Sequence, residues 1–407
     1  MAMKKTILFF VILTSMPFYA QWWTPQNSGV TQNLNDVYGI TSNTVVVVGN
    51  GGTILKTTDG GANWLQKTSG TSENLTKIQF VTLTIGYAVG TNGTLLKTTN
   101  GGESWASIPT GITTNLSGLS CVNENVFYIS GDTGLIEKTT DGGTTFSNKS
   151  YAGNYSFATI QFLNDQVGYA SSFTNFGSGS NAFIKTTNGG TAWTFVSDQI
   201  STFFFINETT GFVMSGTTFK TIDGGVTLTN MGNSYSQASD LFAFNENEVW
   251  SVENTYTLCG CSNFCIRKST IADTGTFQGA QNCYSDTNGN PPFEAITFAD
   301  ATHGYVVGDY GIIYKNATGT MEDLGIDEMD KKDTVVIYPN PASSIITIEN
   351  KSNSPLYSTL IYDVNGRKVL EEKQGKATLD ISSLVKGVYL VKLSSDNGNV
   401  TKKLIKE

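Results

Sequence analysis

The segment GTLLKTTNGGESW (Gly93 to Trp105) recurs along the chain, and no other feature of the sequence restricts its fold more. It returns as GTILKTTDGGANW (Gly52 to Trp64) and GLIEKTTDGGTTF (Gly134 to Phe146). Looser copies are FIKTTNGGTAW (Phe183 to Trp193) and FKTIDGGVTL (Phe219 to Leu228). Each copy is a short β-run ending in an Asp/Asn-Gly-Gly turn. The side chains of Asp59, Asn100, Asp141, Asn188 and Asp223 can accept backbone N–H groups of their own turn, and the glycines supply φ > 0. Five positions on, Trp64, Trp105, Phe146 or Trp193 starts the returning strand and packs over the turn; Leu228 stands there in the fifth copy. The unit is a hairpin, used repeatedly.

Alignment on Lys56, Lys97, Lys138, Lys185, Lys220, Lys268 and Lys315 gives spacings of 41, 41, 47, 35, 48 and 47 residues. An apolar strand lies upstream of each lysine, from VVVVG (Val45 to Gly49) to GYVVG (Gly304 to Gly308), so there are seven units. One unit resolves into four strand-sized runs: LTKIQF, YAVG, TLLKTT and SWASIP. A period of ~40 residues with four strands predicts the blade of a β-propeller. A lone blade cannot bury both faces, so blades must stack around an axis. The seventh unit shows three strands only. Trp23 precedes Gly29 as Trp64 precedes Gly70, so 22–28 reads as an outermost strand with no blade before it. That strand is expected to complete the last blade and remove the open sheet edges. The expected fold is all-β: a seven-bladed propeller over 21–319, closed by its first strand. Insertions swell unit four (171–181) and unit six (258–292) and are read as loops, where function often sits.

Residues 1–20 read as a signal peptide, with Lys4 and Lys5 before an apolar run and Ala20 at the cut. That run is too short to span a membrane, and no later run is longer. The stretch 320–333 is acidic and aperiodic, a linker. Beyond it, 334–407 alternates in six or seven short strands, enough for a small Ig-like β-sandwich.

The T-T-D-G-G-x-x-W units resemble the Asp-box (BNR) repeat, and over 21–319 they are similar to propellers of the photosystem II assembly/stability-factor family. The resemblance implies that Asp59, Trp64, Asn100, Trp105, Asp141, Phe146, Asn188, Trp193 and Asp223 staple turns and are not an active site. The C-terminal region carries YPNPA (Tyr338, Pro339, Asn340, Pro341), IYDVNGRKV (Asp363, Gly366, Arg367) and LDISSLVKGVYLVKL (Gly387, Tyr389). In that order these resemble the type A C-terminal sorting domain of type IX secretion in Bacteroidetes-type bacteria. The resemblance implies partnership with the secretion machinery and its sortase, removal of the domain, and a product released or held on surface lipopolysaccharide.

Scarcity limits the chemistry. A net charge of −9 and only two arginines, Arg267 and Arg367, argue against a nucleic-acid partner. Sialidase chemistry resembles a three-arginine clamp with a tyrosine nucleophile, and the propeller holds Arg267 alone. The one histidine, His303, lies in a turn and gives no base for a triad. Asp36, Glu73, Asp165 and Glu294 are candidate carboxylates for glycan hydrolysis, although no spacing singles out a pair. Cys259, Cys261, Cys265 and Cys283 lack the C-x2-C spacing of a zinc site; in an exported chain they read as two disulfides pinning a loop. Three pairings are open, with Cys259 to Cys261 disfavoured by geometry. Cys121 is left over as a buried thiol. Phe203 to Phe205 and Tyr155 could stack on a sugar or peptide, but Phe203 to Phe205 coincide with an inner strand. No cofactor or metal is expected. The sequence predicts a non-enzymatic secreted or surface module that binds a protein or glycan. The alternatives are a carboxylate-dependent glycan hydrolase or lyase, and an envelope assembly factor.

Overall fold

The computed structural model describes residues 23–172, 181–231, 237–256, 262–271, 277–285, 292–316, 335–350, 356–363, 368–372, 376–395 and 398–406. The leader 1–20 and the linker 320–333 lie outside them. Among the described residues every regular element is a strand, apart from short 3-10 turns at Asn50–Gly52, Asp132–Gly134 and Asp309–Gly311. The chain divides into two units, 1–319 and 320–407.

In the first unit the described residues form seven four-stranded antiparallel sheets. They span 34–66, 75–107, 116–148, 157–197, 202–230 and 237–285. The last comprises Phe293–Asp300, His303–Gly308 and Ile313–Asn316 with Trp23–Gln26 added at its outer edge. The first strand of each sheet contacts the first strand of the next, and Phe293–Asp300 contacts Leu34–Gly39, so the circuit returns to its start. Period-two alternation explains how one strand serves two neighbours. Val45 and Val47 pack with Ala295, Tyr305 and Val307 of the last sheet. Val46 and Val48 pack on the other face with Leu75, Ile78 and Ala88 of the second. The second strand of a sheet is therefore apolar on both faces, which is why VVVVG and GYAVG lack the usual polar alternation.

The strand Trp23–Gln26 pairs antiparallel with Ile313–Asn316, with Trp23 opposite Asn316 and Gln26 opposite Ile313. Residues from both ends of the unit thus share one sheet. The Trp23 side chain fills the core between the last sheet and the sixth, beside Trp250, Phe264 and Phe293.

The insertion at 258–292 departs from expectation. Its described residues are mostly sheet: Ser262–Ile271 pairs with Phe277–Ser285 from Asn263↔Ser285 to Ile271↔Phe277. These described residues lengthen the ladder, where their backbone groups find partners. Cys265 is disulfide-bonded and lies directly opposite Cys283 in this register; Cys259 and Cys261 fall outside the described residues. Of the unit-four insertion, 173–180 also falls outside them.

The second unit has a three-stranded sheet (Val335–Tyr338, Ile345–Asn350, Thr378–Asp380) and a four-stranded one (Lys368–Glu372, Leu356–Asp363, Gly387–Ser395, Gly398–Lys406). Ile337, Ile346, Ile348 and Leu379 of the first meet Ile361, Val391, Leu393 and Leu404 of the second in one buried core. Tyr338, Pro339, Asn340 and Pro341 are exposed, with cis bonds before both prolines. Asn340 Oδ1 accepts the Ile405 N–H at 2.8 Å, which ties this segment to the last strand. Tyr389 is buried, and its hydroxyl donates to the Val385 carbonyl at 2.8 Å. Gly387 opens the strand that carries Tyr389, and Asp363 ends its neighbour; Gly366 and Arg367 lie outside the described residues.

Candidate binding site on the inner strands

The first strand of each sheet is an edge, so half its backbone groups have no ladder partner. Side chains of the preceding sheet supply the partners in three tiers. Asn35 Nδ2 donates to the Leu75 carbonyl at 2.7 Å, Thr76 Oγ1 to that of Leu116 at 2.7 Å, and Ser117 Oγ to that of Phe157 at 3.2 Å. Asp36 Oδ2 accepts the Ile78 N–H at 2.8 Å, and Asp240 Oδ2 that of Ile296 at 3.0 Å. Gln79 accepts from Cys121 N at 2.7 Å, Ser120 from Phe162 N at 2.7 Å, and Gln161 from Phe205 N at 2.8 Å. These ties hold the inner strands together while keeping them apart as separate sheets.

Charge collects in the middle tier. Asp36, Lys77 and Asp240 each follow a register shift near the start of their strand. Such a shift re-aims the side chain after it. Lys77 Nζ lies 3.4 Å from Asp36 Oδ1. Burial opposes the charge on Lys77, but Asp36, Asp240 and Glu294 together outweigh it and raise its affinity for the proton. Burial pushes Asp36 up, against the pull of Lys77. Asp240 is pushed up to about 6 by burial, with Lys77 opposing and Asp36 adding to the rise. Glu294 is pushed up to about 7 by burial and by repulsion from Asp309, with Lys77 opposing. Glu294 is half-buried, and no described group donates a hydrogen bond to it. Tyr310, next to Asp309, is 69% exposed and held at φ 55°. Three carboxylates, Asp36, Asp240 and Glu294, thus act on one lysine, with Asp309 adding negative charge beside Glu294, an environment that favours an added cation.

The remaining predicted residues are elsewhere. Glu73 accepts from Thr91 Oγ1 at 2.6 Å and Asn92 Nδ2 at 2.8 Å in a loop, and Asp165 is exposed in a turn. Of the four candidate carboxylates, the fold brings Asp36 and Glu294 to the same lysine and leaves the other two apart. His303 Nδ1 contacts Asp300 Oδ1 at 2.7 Å within its own turn. Arg267 Nε donates to the fully buried Glu253 at 3.0 Å inside the sixth sheet. Cys121 is a free, half-buried thiol whose proton burial holds on tightly. Phe203 and Phe205 are core, Phe204 packs against the sixth sheet's core, and Tyr155 lies against Phe157.

Each Asp-box turn is closed locally. Thr57 Oγ1 donates to Asp59 Oδ1 at 2.7 Å and accepts from Gly61 N at 2.9 Å, and Asp59 Oδ1 accepts from Asn63 N at 2.9 Å. The same set recurs around Asn100, Asp141, Asn188 and Asp223. Trp64 is buried, while Trp105, Phe146 and Trp193 are half-buried. Side-chain donors, Asn63, Thr145 and Thr227 respectively, hold Asp59, Asp141 and Asp223 down at about 2.

These opposite shifts predict a stability maximum in mild acid. The raised groups, Asp240 and Glu294, contribute stability that is present below the unfolded carboxylate range of ~4 and lost as pH rises through about 6 and 7. The lowered Asp-box aspartates contribute stability present above ~4 and lost as pH falls towards about 2. Urea midpoints measured from pH 3 to 8 are expected to peak near ~4–5. The double variant D240N/E294Q is expected to flatten the alkaline limb; an unchanged limb would remove these two groups from the account.

Lys77 and Asp240 were not singled out in the sequence. The signal was available: aligning the units places Asp36, Lys77 and Asp240 at one position, opposite Val48, Val89 and Val252.

A family model described as "Photosynthesis system II assembly factor YCF48" matches residues 15–317. One described as "Secretion system C-terminal sorting domain" matches 336–407 and indicates type IX export to the cell surface or extracellular space. No curated protein matches the chain. Among solved structures, a YCF48 bound to D1 peptide is 19% identical at a TM-score of 0.57, covering 73% of this chain and 97% of its own. YCF48 from Cyanidioschyzon merolae is 16% identical at 0.54, covering 72% and 98%. An extracellular domain of the BT4673 one-component system from B. thetaiotaomicron is 12% identical at 0.53, covering 95% of this chain and 59% of its own. At these identities the likeness is one of fold, a β-propeller.

Proposed function

This chain belongs to the photosynthesis system II assembly factor YCF48 family, and on that premise we propose that it is an exported, non-enzymatic β-propeller that binds a partner polypeptide. We read the seven sheets as seven blades closed by the strand Trp23–Gln26, and the second unit as an Ig-like sandwich that the secretion sortase removes. The ligand is a basic segment whose lysine or arginine side chain meets Glu294 and Asp309, with Tyr310 available to stack on it. One observation carries this reading: Glu294 lies among carboxylates that share Lys77 and receives no hydrogen bond from any described group. The description of a structurally similar YCF48 as bound to a peptide supports a protein ligand ahead of a glycan.

The test uses the exported chain against arrays of basic, neutral and acidic synthetic peptides, a glycan array and a panel of glycosidic substrates. Basic peptides are expected to bind, and E294Q to weaken them about tenfold, the cost of one charge-assisted contact. Glycan binding without peptide binding would overturn the reading. Substrate turnover lost in E294Q would replace it with the enzymatic one.

A further inference from the structure

The outer edge of the sixth sheet differs from every other outer edge in the unit. The remaining outer strands are Leu65–Gln66, Ala106–Ser107, Ser147–Asn148, Thr194–Ser197, Thr229–Asn230 and Trp23–Gln26, of two or four residues each. Phe277–Ser285 has nine. It pairs with Ser262–Ile271 on one side, and no described strand pairs with its other side.

An edge of two residues offers too little ladder to template a strand. Nine residues extend roughly 30 Å and point the N–H and C=O groups of alternate residues outward, which is the footprint of strand addition. Exposed edges are ordinarily blunted by lysine, proline or inward-pointing charge. The sequence FQGAQNCYS has no charged residue and no proline. The partner strand is pinned as well, since Cys265 is disulfide-bonded and faces Cys283 across this ladder. An edge already held in a ladder on its inner side loses little entropy when another strand adds to it.

We infer that the outer edge of Phe277–Ser285, which pairs with no described strand, is a second interaction surface, which takes an extended segment of a partner protein as an added strand. The chain's net charge of −9 repels a second copy and steers in a segment of basic character. The surface is separate from the inner-strand site and does not depend on it.

The probe is a synthetic peptide of about nine residues alternating valine with lysine or threonine, titrated by fluorescence anisotropy into the full chain. Two derivatives carry N-methyl groups on the odd or on the even residues, and only one set can face the edge. Saturable binding is expected, with about a tenfold loss for one derivative and little change for the other. Proline at two neighbouring positions, A280P and Q281P, complements this, because only one of the two N–H groups points outward. One variant is expected to abolish binding while cooperative unfolding is retained. E294Q is expected to leave it unchanged; loss there would place the peptide at the inner-strand site and overturn the inference. Absence of saturable binding, equal binding of both derivatives, or binding unaffected by either proline would also overturn it. So would a concentration-dependent dimer in sedimentation that proline at the edge abolishes, because a second copy would then occupy this surface.

Discussion

Replacing Trp23 with alanine is expected to destabilise the first unit by about 3–5 kcal/mol, the cost of emptying a fully buried indole site. Trp23 has no exposed surface. Its ring meets Trp250 edge-on at 5.9 Å and Phe298 at 6.0 Å, so the deletion opens a cavity between the sixth sheet and the last. The strand also carries the outer edge of Ile313–Asn316, so loosening it exposes an edge that can recruit other chains. Urea unfolding of the wild type and W23A gives the difference, and light scattering on the variant detects association. W105A, at the matching position of a complete unit but half-buried, is expected to lose less. A loss below about 1 kcal/mol for W23A would show that the strand is dispensable.

Asp36→Ala is expected to cost about 2–4 kcal/mol, because it strands two groups at once. The Ile78 N–H loses its acceptor at 2.8 Å, and Lys77 loses its only hydrogen-bonded carboxylate among the described residues, at 3.4 Å. Asn at the same position keeps an oxygen for Ile78 while removing the charge, so D36N should cost about half as much. The double variant D36A/K77M is expected to recover part of the loss, since no unpaired ammonium remains. Strictly additive effects of the two single changes would mean that the pair is not coupled, and that the central charges act independently.

Local features were legible in the sequence, and those that join units were not. The Asp-box turns depend on contacts two to four residues apart, such as Thr57 with Asp59 and Asp59 with Asn63, which any single copy contains. The aligned lysines served only as a ruler. In the fold, Lys97, Lys138 and Lys185 lie over Tyr87, Tyr128 and Tyr169 at 5.3, 5.1 and 5.4 Å. Lys185 Nζ then donates to the Gly224 carbonyl in the next sheet's turn at 2.8 Å. Nothing within one unit announces a partner that far away in sequence. Glu294 is legible in the sequence as a carboxylate, but its setting includes Lys77, which belongs to another sheet. The sixth-sheet insertion is not legible as sheet, because length alone does not separate a loop from a longer ladder. Its alternation is polar, without the apolar period that marks a strand.

Because Trp23 lies opposite Asn316, the first and last described residues of the first unit are neighbours in one sheet. Trimming to 23–316 would leave a wheel with its two cut ends side by side. A linker joining those ends should be accepted with new termini cut elsewhere, and the order of the sheets around the wheel would be unchanged.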